Sequence, residues 1–109
     1  MAGLPDGPAT GSVLVQYSGL GELRAPFTGT CVSAGTATTL RGTADTARLE
    51  VTFHPDGAEL TLDDVGLVTT STLGRSEVTV TGSHLALRAP LAQDGQVVGS
   101  VELDLDCAG

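Results

Sequence analysis

Val101-Glu102-Leu103-Asp104-Leu105-Asp106-Cys107 alternates apolar and acidic residues until its final cysteine. Successive side chains of a strand point to opposite faces, so Val101, Leu103, Leu105 and Cys107 share one face and Glu102, Asp104 and Asp106 the other. The stretch reads as a half-buried strand with Cys107 on its buried side. The same period recurs upstream. Val13, Val15 and Tyr17 alternate, and Leu49, Val51 and Phe53 alternate with Arg48, Glu50 and Thr52. Turn chemistry separates such runs: His54-Pro55-Asp56-Gly57, Gly82-Ser83 and Gln93-Asp94-Gly95-Gln96. Proline pre-sets φ in such turns, and glycine accepts positive φ.

Working outward, strands are expected near residues 13–17, 23–32, 36–41, 47–53, 58–62, 65–72, 77–81 and 84–89, besides the last. Pro26 belongs at an edge or bulge, since it lacks the N–H of the ladder. Phe27 and Cys31 share a parity and so a face. No window reads as a helix, and residues 42–48 hold one helical turn at most. Eight or nine short strands at this spacing predict an all-β fold, an antiparallel β-sandwich or a partly open barrel with one inter-strand disulfide. Residues 1–11, rich in Gly, Pro and Ala, read as a flexible tail or linker remnant, and residues 12–109 as a single domain.

A chain of 109 residues fits one domain. Its net charge is -8, with Arg as its only strongly basic residue. That excludes a phosphate-backbone reader, so no nucleic-acid partner is expected. No apolar run reaches the ~18–20 residues of a membrane-spanning helix. The aromatics are Tyr17, Phe27 and Phe53 alone. Lys, Asn, Ile and Trp are absent, and the first three have A/T-rich codons. This points to a G/C-rich genome. Without Lys there is no Schiff-base chemistry and no P-loop lysine.

Cys31 and Cys107 are too far apart for a CxxC motif, and two thiols make a poor zinc site. They read as a disulfide, the alternative being two buried thiols in a cytosolic protein. A disulfide would close most of the chain into one loop and place the protein outside the reducing cytosol. Residues 1–12, MAGLPDGPATGS, show neither a basic n-region nor an apolar h-region. The expectation is a mature domain with an added Met1, its export signal removed.

Little else carries chemistry. Ser, His54, His84 and several Asp are present, but no GxSxG elbow, and His54 is explained by its turn. Glu102, Asp104 and Asp106 are the candidates for a calcium ion, a hard cation that takes oxygen ligands. A solvated acidic strand face is the simpler account, so no metal or other cofactor is expected. The scarcity of aromatics disfavours a sugar-binding cleft.

Phe27-Thr28-Gly29-Thr30-Cys31, Gly82-Ser83-His84-Leu85-Ala86-Leu87 and the closing Val101–Cys107 strand, taken in order, resemble the mycobacterial 19-kDa lipoprotein antigen family. The likeness covers roughly residues 13–107. It implies a lipid-anchored, extracytoplasmic surface protein without catalytic activity, its paired cysteines falling at Cys31 and Cys107. It also implies recognition by host innate receptors, chiefly through an acylated N-terminal Cys that this chain lacks. The expected function is a non-enzymatic display and interaction module of the cell envelope or secreted space. Its partners would be a host receptor or envelope protein, and its contact with membrane only the lipid anchor. A monomer is expected. The alternative is a carrier of a small apolar ligand or lipid in a cavity lined by Leu and Val.

Overall fold

The computed structural model describes residues 5–19, 21–64 and 66–107. The period of two becomes nine strands: β1 (Gly7–Tyr17), β2 (Gly21–Ala34), β3 (Ala37–Ala44), β4 (Ala47–His54), β5 (Gly57–Asp64), β6 (Leu67–Gly74), β7 (Val78–Thr81), β8 (His84–Gln93) and β9 (Gln96–Cys107). A single 3-10 turn, Arg75–Glu77, separates β6 from β7. All pairings are antiparallel, in the order β6-β5-β4-β3-β2-β1-β9-β8-β7. β6 also bridges β8 at Thr70↔Ala92, so eight strands close into a barrel and β7 remains an extra strand on the edge of β8. Of the two architectures expected, the barrel is the one formed. The seam between β6 and β8 is its shortest junction, supplemented by the Ser71 hydroxyl donating to the Pro90 carbonyl.

An eight-stranded barrel is just wide enough for side chains to fill. Phe27, Leu40, Leu60, Leu62, Leu85, Leu91, Leu103 and Leu105 fill it, each at most 2 % exposed. Each such burial contributes ~1.5–3 kcal/mol. Phe27 occupies space that Gly42 leaves free: a Cβ on Gly42 would lie 2.6 Å from the ring's Cζ and would also meet the Thr28 carbonyl. Among the described residues the two buried polar side chains are satisfied. Thr69 donates to the Leu62 carbonyl at 3.5 Å, and Thr38 shares a hydrogen bond with Ser33 at 3.1 Å. Outward positions carry Thr28, Thr30, Arg41, Thr43, Arg48, Glu59 and Thr61, all exposed. This apolar-in, polar-out order is the reverse of a membrane-spanning barrel.

Cys31 and Cys107 are bonded, with Cα atoms 5.9 Å apart and a separation of 76 positions in sequence. Each is 1 % exposed, on the inward parity read from the sequence.

Two expectations need correction. β1 begins at Gly7, so residues 7–11 are strand and not tail; residues 1–4 lie outside the described residues. The stretch is held by ladders on both sides, with Ala9 facing Gly29 of β2 and Cys107 of β9, and Ala9 is fully buried. Residues 42–48 make no helical turn. Gly42 and Ala44 continue the inward parity of β3, and the chain reverses at Asp45-Thr46, where Asp45 takes φ 56°. Smaller shifts occur at β6, which runs to Gly74 (Val65 lies outside the described residues), and at Glu77, which belongs to the 3-10 turn. Pro26 sits where β2 pairs only with β1, since pairing to β3 starts at Thr28↔Thr43.

Gly42→Ala is expected to destabilise the protein by ~1–3 kcal/mol, because the added methyl overpacks the Phe27 site. Cys107→Ser is expected to cost ~2–5 kcal/mol. Urea unfolding monitored by far-UV circular dichroism measures both.

Candidate functional site

The outer face of β2, β1, β9, β8 and β7 gathers most of the residues singled out for chemistry. β-Register sets its rows. Thr10, Asp106, His84 and Thr81 lie side by side, then Ser12, Asp104, Ala86 and Thr79, then Arg24, Leu14, Glu102 and Arg88. Adjacent side chains in such rows are within contact range across the strands.

His84 stands at the start of β8, directly after the Gly82-Ser83 turn, and faces two aspartates of β9. Its Nε2 lies 2.6 Å from Asp104 Oδ1, and its Nδ1 lies 3.6 Å from Asp106 Oδ2. The Ser83 hydroxyl donates to Asp106 Oδ1 at 2.5 Å. Ser83 is therefore bonded to a carboxylate and not to the imidazole, so the order of a nucleophile activated by a histidine is not assembled here. His54 stands on β4, with β5 and β6 between it and β8.

The three acidic residues of β9 face two side chains of β8. Glu102 pairs with Arg88 at 3.3 Å, while Asp104 and Asp106 share His84. Among the described residues no three His, Cys, Asp or Glu side chains converge as ligands for a metal ion. Period-two spacing puts the three carboxylates on one face, where Arg88 of the opposing strand meets Glu102 and His84 lies between Asp104 and Asp106. All are partly or fully exposed, and pairs of this kind contribute ~0–1 kcal/mol each.

A groove of about 530 Å³ runs over this face, bordered by Ser12, Leu14, Arg24, Glu77, Thr79, Ala86, Arg88, Glu102 and Asp104. A second, of about 310 Å³, lies on the outer face of β3 to β5 beside Arg41, Thr43, Arg48, Glu50, Thr61 and Asp63. There Arg41 pairs with Glu50 at 2.6 Å. Both grooves open on the outside. Sequence reasoning missed Ser12, Leu14, Arg24, Glu77, Thr79 and Arg88. Outward parity marks several of them, but only the pairing of the first strand with the last brings them together.

At the opposite end of the barrel, Tyr17 closes β1. Its hydroxyl donates to Asp64 Oδ2 at 3.0 Å, and the Thr46 hydroxyl donates to Asp64 Oδ1 at 2.7 Å. Burial pushes the phenol up to about 12, helped by its hydrogen bond to Asp64 and by the nearby carboxylate charge. The folded protein keeps this proton at a pH where the unfolded chain, near ~10, has lost it. The contribution to stability is therefore full below pH ~10 and is lost as pH rises through about 12.

No family model, curated protein or solved structure matches the chain.

Tyr17 is the only tyrosine and there is no tryptophan, so absorbance at 295 nm reports its ionisation alone. The folded protein is expected to titrate with a midpoint of about 12. In Asp64→Asn the midpoint should fall, yet stay above the ordinary tyrosine value because burial remains.

Proposed function

We propose that this domain is a non-enzymatic display and interaction module working outside the cytoplasm, a rigid barrel whose outer face meets a partner. The observation that carries the reading is the buried Cys31–Cys107 bond, because structural disulfides persist in oxidising compartments and are rare in the reducing cytosol. Three further features support it. The barrel interior is packed with leucine, valine and phenylalanine, so side chains available to a partner are those outside. The outward face of β1, β9 and β8 offers a shallow polar groove in which Arg88 and Glu102 are paired across strands. The cysteine pair and the Gly82-Ser83-His84 segment also match the pattern of the lipoprotein antigens that the chain resembles. In that pattern a lipid anchor precedes the β domain and holds it off the membrane, and a host receptor or envelope protein is the partner. The carrier alternative requires an interior cavity, whereas the grooves of about 530 and 310 Å³ lie on the outer face.

The reading is tested by fractionating cells of the source organism and alkylating thiols before lysis. The protein is expected in the envelope or secreted fraction, degraded by protease added to intact cells, with neither cysteine alkylated until reductant is added. A protease-resistant cytosolic pool with both thiols alkylated without reductant would overturn it.

A further inference from the structure

The disulfide joins β2 to β9, yet the strand between them is β1. Gly7 pairs with Cys31, and Ala9 pairs with Cys107. The bond therefore crosses the inner side of the first residues of β1, where Cys31, Cys107 and Ala9 are each at most 1 % exposed.

Beyond that bond and the backbone ladders to β2 and β9, little holds that stretch. Of residues 7–12 only Ala9 belongs to the hydrophobic core. Gly7 and Gly11 have no side chain, while Pro8, Thr10 and Ser12 point outward and are exposed. Pro8 has no N–H to give the ladder. Just before the strand, Asp6 Oδ1 accepts the Ser33 N–H at 2.7 Å in an exposed position. From Val13 onward the case differs, because Val13 and Val15 are packed at 1 % exposure or less. Backbone hydrogen bonds exchanged for bonds to water add little net stability, and glycine-containing backbone is costly to order.

We propose that Cys31–Cys107 is a redox-sensitive clasp over the start of β1. Oxidised, it seals residues 7–12 between β2 and β9. Reduced, those residues leave the sheet as a mobile arm, while the chain from Val13 onward stays in the barrel. The reductant is a dithiol. One of its thiolates attacks a cysteine sulfur, the S–S bond breaks, and the other cysteine leaves as a thiolate that takes a proton. The second dithiol sulfur then attacks the first, closing the reductant's own disulfide, and the cysteine held in the mixed disulfide leaves as a thiolate that takes a proton. The protein ends with two thiols and the reductant with one disulfide, a transfer of two electrons and two protons. Departure of the arm uncovers the edges of β2 and β9 that face it, and reoxidation closes them again. The inference rests on the position of the bond in the sheet and not on where the protein is displayed.

Hydrogen exchange read by mass spectrometry, on folded protein with and without dithiothreitol, tests this. Far-UV circular dichroism checks the fold and alkylation checks the thiols. In reduced protein the amides of residues 9–12 are expected to exchange within about tenfold of the unfolded-chain rate, while Leu49, Val51, Leu60 and Leu62 stay at least ~100-fold slower. Cys31→Ser/Cys107→Ser should show the same pattern without reductant. Residues 9–12 as protected as β4 and β5 after reduction would overturn the proposal. So would loss of protection throughout the chain in either sample, since the bond would then hold the whole barrel. Failure of dithiothreitol to reduce the bond in folded protein would contradict it as well.

Discussion

The pairing of β1 with β9 is the contact on which the rest of this structure depends. It runs from Ala9↔Cys107 to Tyr17↔Gly99 and turns a chain of consecutive hairpins into a closed cylinder. Without it the sheet would have two long edges and an apolar face open to water. With it, nearly every strand has two neighbours, and exposed edges of the kind that promote association shrink to the short β7 and the seam beside it. The disulfide reinforces the same closure by linking the strands on either side of β1.

Closure also determines what the molecule presents. Inward residues are spent on packing, and the exterior is curved and largely polar. The groove of about 530 Å³ exists because the first strand and the last two lie side by side, placing Ser12 and Leu14 next to Asp104, Glu102, Ala86 and Arg88. Cross-strand neighbours position Glu102 and Asp104 of this groove, against Arg88 and His84, while Arg24 lies 3.9 Å from Glu22 on its own strand. The separate Tyr17–Asp64–Thr46 network ties β1, the β3–β4 turn and the end of β5 at the other rim.

Local patterning made much of the fold legible. The Val101–Cys107 alternation, the Leu49-Val51-Phe53 face and the two turns at His54-Pro55-Asp56-Gly57 and Gln93-Asp94-Gly95-Gln96 are all realised. The parity of Cys31 and Cys107 placed both on the inward side, where the bond forms. Residues 7–11 were illegible because Gly and Pro resemble a linker, and their hold comes from neighbours distant in sequence. The strand expected to end at residue 41 runs on to Ala44, because Gly42 carries no side chain to mark its parity and makes room for Phe27. Whether the strands close as a barrel or stack as a sandwich depends on pairing between remote strands, which periodicity does not encode. The groove and the Tyr17–Asp64 contact escaped for that reason too.

The most direct test of the account is a set of inter-strand nuclear Overhauser effects measured on oxidised, isotopically labelled protein. Contacts between the backbones of Val13 and Leu103, of Val15 and Val101, and of Thr70 and Ala92 are expected, because these pairs face each other across the two junctions that close the barrel. A spectrum that pairs β1 with β2 but shows no contact between β1 and β9 would contradict the closed barrel and everything built on it.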